Sequence, residues 1–463
     1  MTAVALSATR PVTPHKADAR AFLLDALRRL ETSDGLGVIR LSAPLAPIEA
    51  MSAALRKGID ATWQSPDGHG FAAHGATSIL RLDGPDRFTA LEPRAAALFS
   101  RMRRITQPGT PDRAPRLFGG WAFAEGSADA LPWDGFGDGA FFLPRWSYER
   151  TPDGHAALTL SVELDRVSHK RIENELDTVW ESLTRPLPSP KDPEVLRTDH
   201  VPLETWTAQV DAITAAIGEG RFEKVVAARR ATVFANHDFA PWQAAHRLRH
   251  RYPDTWCFSF RMGAGTFVGA TPERLFVKRG QTLETDALAG SIAVGDARAE
   301  STLRASLKDR REHRPVVEHL LHRLSPLCET MKDPTEPRVR RLPNVLHLHT
   351  TIRGSLRQGV HAAQLASALH PTPAVGGVPS VAATEWIQDH EAHPRGWYAG
   401  PVGWIDADGD AELTVALRCG VIRGNTAWVW AGGGIVDGSE PDAEWREASW
   451  KLAPVLAALG ADT

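Results

Sequence analysis

The fold class is decided by one stretch near the carboxy terminus, GPVGWIDADGDAELTVALRCGVIRGNTAWVWAGGGIV, which covers residues 400–436. Apolar residues alternate there with polar or small ones, and the runs end at Gly or Asp. This alternation is typical of half-buried antiparallel strands. The stretch therefore predicts strands over 400–406, 411–422 and 426–436.

The same alternation recurs toward the amino terminus, where helical periodicity interrupts it. Further strands are predicted at 37–44, 77–84, 156–164, 222–234, 256–261, 266–269, 273–279 and 345–353. Apolar residues at helical spacing predict helices at 18–32, 168–185, 203–218, 240–250, 300–326 and 442–459. Consecutive strands without strict alternation of strand and helix predict an α+β fold with large, mostly antiparallel sheets.

The composition is that of a soluble globular protein. The 463 residues include 53 Lys and Arg against 56 Asp and Glu, which gives a formal net charge of −3, and 43% of the residues are hydrophobic. A nucleic-acid or anionic-membrane partner would require an excess of Lys and Arg on one face. We therefore expect neither partner, and a small, uncharged or mildly anionic ligand stays open.

The cysteines and the apolar runs bear on the compartment. Cys257, Cys328 and Cys419 are far apart and odd in number, so they predict neither a disulfide framework nor a CxxC motif. The amino terminus lacks the apolar run of a signal peptide, and no stretch approaches the roughly 18 apolar residues of a membrane helix. We expect a cytoplasmic protein that does not span a membrane.

The chain has one clear change in composition, the proline-rich segment LTRPLPSPKDPEVLRTDHVP at 183–202. Such a segment cannot form a regular helix or a central strand, and it indicates a connection between two halves. We predict a flexible arm over residues 1–15, an amino-terminal part of the fold over 16–200 and a catalytic part over 201–460.

Common cofactor motifs are absent from the sequence. There is no GxxxxGK[ST] loop, and the glycines at 263, 265 and 269 do not follow the dinucleotide spacing. His347 and His349 lie on one face of a predicted strand, but no third ligand accompanies them, which disfavours zinc.

The last predicted helix carries Glu444, Glu447 and Lys451 on one face. In the helix predicted at 300–326, Asp309 and Glu312 share a face in the same way. Carboxylates on two helices could supply a Mg²⁺ site, although such pairs are more often solvated helix faces. Glycine-rich runs at 370–379 and 431–438 indicate either a close approach of backbone to a ligand or plain tight turns. Spacing alone decides neither whether the carboxylates hold a metal nor whether the glycine-rich runs approach a ligand.

Ten phrases in the second half of the chain, taken together, resemble one family, the chorismate-using enzymes, and within it the isochorismate synthases. They are FEKVVAARR (222–230), GATPERL (269–275), ALAGS (287–291), LKDRREH (307–313), HLHTTIRG (347–354), LHPTPAVGG (369–377), RGWYAGPVGWID (395–406), VALR (415–418), AGGGIV (431–436) and EWREASWK (444–451). The resemblance covers about 230 residues, whereas LFGGWAFAE (117–125) is only loosely similar. It implies one large domain of extensive antiparallel sheets that enclose the site, with 183–202 as a crossing inside that domain.

The resemblance also implies roles for individual residues. Lys224 takes the place of the general base that activates water for attack on C2 of chorismate, and Glu273 that of the general acid that protonates the departing C4 hydroxyl. Mg²⁺ is the implied cofactor, held by Glu312 and Glu447, with Glu444 contributing through the metal's waters. The positions that match substrate contacts are Gly290, His347, Ala374, Tyr398, Arg418, Gly432, Gly434 and Lys451.

Three positions select among the family's reactions. Lys224 favours water over ammonia as the nucleophile, so no glutamine amidotransferase subunit is expected. Ala289 stands where aminodeoxychorismate synthases carry a nucleophilic lysine, and Ala374 stands where salicylate and anthranilate formers tend to have threonine. The resemblance therefore implies an isomerase, isochorismate synthase, that feeds menaquinone or catechol siderophore biosynthesis and is a monomer or weak dimer. A salicylate synthase that also releases pyruvate, and a non-catalytic chorismate-binding regulator, are the alternatives.

Overall fold

The computed structural model describes residues 14–461 apart from 31–33, 56, 295–297, 335 and 344. The arm predicted at 1–15 lies outside the described residues except for its last two positions. No helix within the described ranges is long and apolar enough to cross a membrane.

The described residues form eleven α-helices. They are α1 (Lys16–Leu30), α2 (Ala50–Ala54), α3 (Leu91–Ser100), α4 (His169–Thr184), α5 (Leu203–Gly218), α6 (Pro241–Arg251), α7 (Ala299–Ala305), α8 (Leu307–Leu324), α9 (Ala362–Leu369), α10 (Ser380–His390) and α11 (Pro441–Ala458).

The described residues also form 21 strands. They are β1 (Leu36–Ser42), β2 (Asp60–Gln64), β3 (Gly70–Arg81), β4 (Met102–Thr106), β5 (Arg116–Trp121), β6 (Gly139–Arg150), β7 (Ala156–Glu163), β8 (Val195–His200), β9 (Lys224–Ala235), β10 (Trp256–Met262), β11 (Gly265–Thr271), β12 (Arg274–Arg279), β13 (Thr282–Ala293), β14 (Cys328–Met331), β15 (Arg338–Arg341), β16 (Val345–Leu356), β17 (Gly377–Val378), β18 (Pro401–Asp406), β19 (Ala411–Val415), β20 (Cys419–Arg423) and β21 (Thr426–Ile435).

The strands are hydrogen-bonded into one continuous sheet, and the prediction of an α+β fold with mostly antiparallel pairing is confirmed. Among the described pairs only β1 with β4 is parallel. The amino-terminal strands join the later ones twice, where β2 pairs with β10 and β5 pairs with β18. The proline-rich segment 183–202 thus connects strands of the same sheet, and its last part forms β8, which pairs with β9 alone.

Two predicted elements are divided in the structure. The helix expected at 300–326 is two helices, because Ser306 leaves the helical conformation and its hydroxyl accepts from the Asp309 amide at 3.2 Å, which caps α8. The strand expected at 411–422 is interrupted between β19 and β20, where Arg418 has φ of 49°. A non-glycine residue with a positive φ does not continue the hydrogen-bonded ladder of a strand, so the chain leaves the sheet at Arg418.

Three buried aromatic rings pack together, and one of them, Tyr398, lines a pocket between β9, β13, β21, α8 and α11. The ring centroids of Trp133 and Trp430 lie 5.2 Å apart, and the Tyr398 ring stacks on Trp430 at 6.3 Å and 17°. All three side chains are at most 3% exposed. Aromatic pairs of this kind contribute about 0.5–1.5 kcal/mol beyond their burial, so the Tyr398 ring is fixed from behind.

Candidate active site

A pocket of about 690 Å³ opens between β9, β13, β21, α8 and α11. Twelve of the thirteen site residues predicted from the sequence line it, and the list is Lys224, Glu273, Gly290, Glu312, His347, Ala374, Tyr398, Arg418, Gly432, Gly434, Glu447 and Lys451. The thirteenth, Glu444, lies outside the lining, is 2% exposed and accepts a hydrogen bond from Ser439 Oγ at 2.9 Å. The fold thus brings together residues that are up to 227 positions apart in the chain, from Lys224 to Lys451.

The glycine run of β21 lines this pocket with backbone alone. A Cβ at Gly434 would lie 2.4 Å from Lys224 Cε, and a Cβ at Gly433 would lie 3.2 Å from Glu444 Oε2 and 3.8 Å from Glu447 Oε1. Successive side chains of a strand point to opposite faces. The glycines therefore let Lys224 approach β21 from one face and the α11 glutamates from the other. The run lies in a strand as far as Ile435 rather than in tight turns, and its contact with a ligand stays a prediction.

Lys224 begins β9 and is 4% exposed. Burial is the main cause that lowers the pKa of its ammonium below the usual value, and the nearby charge of Lys451 lowers this pKa further. Glu312, Glu273 and Glu447 act in the opposite direction. A lowered pKa makes the neutral amine, the form that can accept a proton, easier to reach than in an exposed lysine.

The pKa of the Glu273 carboxyl is shifted upward, whereas that of the Lys224 ammonium is shifted downward. Burial raises the pKa of its carboxyl to about 8, Asp286 adds to this rise, and Lys224 and Lys451 oppose it. Its backbone is fixed, since its amide donates to Thr271 Oγ1 at 3.2 Å and its carbonyl accepts from the Val415 amide at 3.0 Å. Glu273 is therefore mostly protonated at pH 7 and is held where it can donate that proton.

Arg418 supplies buried positive charge. Its Nη2 donates to His347 Nε2 at 3.1 Å, and His347 Nδ1 lies 2.9 Å from Ser291 Oγ. Because a guanidinium only donates, Nε2 must be unprotonated and Nδ1 carries the hydrogen. Burial lowers the pKa of His347, which keeps the ring neutral, and lowers the pKa of Arg418 to about 10.

Arg418 therefore stays charged at neutral pH, and its partner among the described hydrogen bonds is a neutral ring rather than a carboxylate. A buried cation of this kind is costly unless an anion accompanies it. The arrangement fits a carboxylate of the substrate.

Lys451 lines the same pocket as Arg418. Its Nζ donates to the carbonyl of Gly432 at 2.9 Å and to Glu447 Oε1 at 2.7 Å, one helical turn earlier in α11. The ion pair is 16% and 24% exposed at its two side chains. Lys451 therefore links α11 to β21 at the pocket and adds positive charge there.

Two carboxylates that could hold a metal, Glu312 from α8 and Glu447 from α11, line one pocket. Across the described ranges there is no group of three or more His, Cys, Asp or Glu arranged to hold a metal. Mg²⁺ usually takes one or two carboxylates and completes its shell with waters and substrate oxygens. Two carboxylates beside a substrate pocket fit that chemistry, whereas they do not fit a closed all-protein site.

A buried ion pair supports the pocket and was missed at the sequence level. Arg395 donates to the carbonyls of Val375 at 2.7 Å and Val226 at 2.8 Å, and both of these residues line the pocket. Its partner Glu391 accepts from the Ala228 amide at 3.0 Å. Arg395 belongs to the phrase RGWYAG, but nothing in spacing indicates that its guanidinium binds two distant carbonyls.

A buried lysine with a lowered pKa, a protonated glutamate and a buried arginine define an acid–base enzyme for an anionic substrate. The chain belongs to the family of chorismate binding enzymes, whose family model matches residues 26–460.

Particular relatives are similar over different lengths. "Isochorismate synthase MenF" of Bacillus subtilis is 32% identical over 355 residues, which are 75% of each chain. "Salicylate biosynthesis isochorismate synthase" of Pseudomonas aeruginosa is 42% identical over 262 residues, and this match spans 55% of that protein and 55% of this chain. The solved structure of MenF, described as the menaquinone-specific isochorismate synthase from Escherichia coli, superimposes with a TM-score of 0.76 at 28% identity and covers 94% of this chain and 99% of the other.

Proposed function

We propose that this protein is an isochorismate synthase, an isomerase that converts chorismate to isochorismate. The observation that carries the proposal is the pair Lys224 and Glu273 in one pocket, with pKa values displaced toward each other. The reaction adds water at C2 and removes the C4 hydroxyl. It therefore needs one group that takes a proton and another that gives one.

Lys224 takes the proton from water as the oxygen attacks C2, and Glu273 gives its proton to the C4 hydroxyl as that group leaves. In this step a neutral amine becomes an ammonium and a neutral carboxyl becomes a carboxylate. Each lies close enough for its charge to affect the pKa of the other, so the attraction grows as the two protons move. This attraction appears only as the reaction proceeds, which is the condition for it to lower the barrier.

The remaining residues bind and orient the substrate. Chorismate carries two carboxylates, and Arg418 with Lys451 supplies positive charge for one of them. Glu312 and Glu447 would hold Mg²⁺, with Glu444 acting through its waters, and the bound ion would supply positive charge for the ring carboxylate. His347 fixes the Arg418 guanidinium through its unprotonated Nε2, and Tyr398, Gly290 and Ala374 shape the space around the ring.

Purified protein incubated with chorismate, with and without Mg²⁺, tests the proposal through chromatography and mass of the products. We expect isochorismate in a Mg²⁺-dependent equilibrium with chorismate, and no product from Lys224→Ala. Salicylate with equimolar pyruvate would replace isochorismate synthase by salicylate synthase, and binding without any turnover would favour a regulator. Ammonium ions should yield no aminated product, because Lys224 favours water over ammonia as the nucleophile.

The product leaves two pathways open, menaquinone and catechol siderophore biosynthesis. One similar structure is described as menaquinone-specific, and one relative is named for salicylate biosynthesis. A cytoplasmic location and a monomeric or weakly dimeric state stay predictions. Size-exclusion chromatography with light scattering checks the second of them.

A further inference from the structure

One edge of β9 is completed by two side chains instead of a neighbouring strand. On this edge β17 pairs with β9 at residues 224–225. One residue further, the Val226 carbonyl accepts from Arg395 Nη2 at 2.8 Å. Two residues beyond that, the Ala228 amide donates to Glu391 Oε1 at 3.0 Å. The guanidinium and the carboxylate thus take the places of a backbone amide and a backbone carbonyl of an adjacent strand.

Arg395 also holds a turn that forms part of the pocket wall. Its Nη1 donates to the carbonyl of Val375 at 2.7 Å. The carbonyl of Thr372 closes the turn, because it accepts from the amides of Val375 at 3.0 Å and Gly376 at 2.9 Å. The Gly376 carbonyl then accepts from the Val226 amide at 2.8 Å. One guanidinium therefore joins the turn to β9 beside a direct hydrogen bond between the same two segments.

Both segments that Arg395 joins carry residues of the candidate active site. Lys224 and Val226 are two positions apart in β9, so their side chains point to the same face, and both line the pocket. Ala374 and Val375 of the turn line the same pocket. Arg395 therefore helps to set the separation between the amine of Lys224 and the wall at Ala374.

The contacts require the shape of an arginine as well as its charge. Nε and Nη2 of Arg395 donate to the two carboxylate oxygens of Glu391 at 2.8 and 2.5 Å, and Nη1 and Nη2 donate to the two carbonyls. These side chains are 2% and 5% exposed, and neither lines the pocket. A lysine would keep the charge, but a single ammonium cannot replace a planar fork that binds a carboxylate and two separate carbonyls.

We propose that Arg395, oriented by Glu391, is a positioning residue that sets the place of Lys224 relative to the turn at 372–376. The inference rests on the proposed function, since it concerns the group that takes the proton from water. Arg395 acts through the backbone of β9 and of the turn and supplies no contact to the substrate. Its loss should slow the chemical step more than it weakens binding, because a displacement of about 1 Å can cost about 10²-fold in rate.

Arg395→Lys, assayed in steady-state kinetics with chorismate, tests the proposal. We expect kcat to fall about 10- to 100-fold while KM changes by less than about 3-fold. The matched control is Arg40→Lys. Arg40 of β1 is also buried, is paired with Glu149 and donates to the Pro111 carbonyl at 2.8 Å, but it does not line the pocket. This control should lose stability in urea and keep kcat within about 2-fold of the wild-type value.

Hydrogen exchange followed by mass spectrometry gives a readout that does not depend on turnover. Amides in the peptide 224–230 should exchange about 10-fold faster in Arg395→Lys than in the wild-type protein, because the edge of β9 is held less firmly. The same peptide should exchange at the wild-type rate in Arg40→Lys.

A kcat for Arg395→Lys within about 2-fold of the wild-type value would overturn the proposal, as would an equal loss of kcat in Arg40→Lys. A raised KM with an unchanged kcat would overturn it as well, because Arg395 would then act on binding. If Arg395→Lys fails to fold, Glu391→Gln takes its place. That variant keeps an oxygen for the Ala228 amide but loses the ion pair, and its kcat should fall about 3- to 10-fold at an unchanged KM; an unchanged kcat would refute the positioning role.

The wild-type protein separates the two proposals. If it does not convert chorismate, the proposed function fails, and the exchange of the peptide 224–230 alone decides whether Arg395 holds β9 to the turn. Exchange that is unaltered in Arg395→Lys would then exclude this role.

Discussion

Substituting Glu273 with glutamine should inactivate the protein and stabilise it. The amide has nearly the same shape but no proton to give, so kcat should fall by about 10²–10⁴-fold, the usual contribution of a general acid. The stability effect follows from the pKa of the carboxyl, which is 4.5 in its ordinary state and about 8 in the folded protein. The folded state therefore binds a proton at pH 7 that the unfolded state has released.

The magnitude follows from this linkage. Stability falls as pH rises wherever the folded state binds more protons, by about 1.4 kcal/mol for each pH unit between the two pKa values. From pH 4.5 to pH 7 the Glu273 carboxyl thus costs the folded protein about 3 kcal/mol, and at pH 5 it costs about 1 kcal/mol. Glutamine carries no charge to bury, so the variant avoids this cost.

Urea unfolding of the wild-type protein and of Glu273→Gln at pH 5 and pH 7 measures the difference. We expect the variant to be more stable by about 3 kcal/mol at pH 7 and by about 1 kcal/mol at pH 5. Glu329→Gln, which alters an exposed glutamate of β14, is the control and should show no such pH dependence. A stability difference that is the same at both pH values would refute the assignment of a protonated Glu273.

Four further predictions concern the same pocket. Lys224→Ala should abolish turnover while chorismate still binds with Mg²⁺ present, as calorimetry can show; undiminished turnover contradicts the base assignment. Arg418→Gln should raise KM about 10- to 100-fold in steady-state kinetics, the effect of losing a hydrogen bond from a charged donor; an unchanged KM would place the carboxylate elsewhere. Gly434→Ala should lower kcat about 100-fold with an unchanged circular dichroism spectrum, because its Cβ would lie 2.4 Å from Lys224 Cε. The kcat of the wild-type protein should fall above about pH 8, where Glu273 loses its proton, and a rate that is flat to pH 10 would argue against this acid.

The strands and helices of the carboxy-terminal half could be predicted because their patterns are local. The helix at 203–218 coincides with α5, and the strands near 256–261 and 345–353 correspond to β10 and β16 with boundaries that differ by up to three residues. The division at Ser306 and the positive φ of Arg418 were missed. Both depend on a single residue whose local geometry overrides an otherwise continuous pattern.

The pocket could be predicted only through resemblance. Spacing alone placed Glu447 and Lys451 on one helix face and favoured a solvated surface, yet both line the pocket. The contacts of Arg395 could not be predicted at all, since they depend on which segments pack beside β9 after folding. No local pattern encodes a bond between residues 169 positions apart.

The glycine run of β21 has a consequence for how this pocket can change. In an ordinary strand, side chains on both faces keep the charged groups packed against one face away from those packed against the other. At Gly433 and Gly434 only the backbone separates the two faces of β21. The carboxylate of Glu447 from α11 and the amine of Lys224 from β9 therefore line the same pocket. No side-chain substitution can adjust the pocket at these positions without inserting an atom between reagents. Variation in substrate or product must therefore enter through lining positions that carry side chains, such as Ala374 and Tyr398.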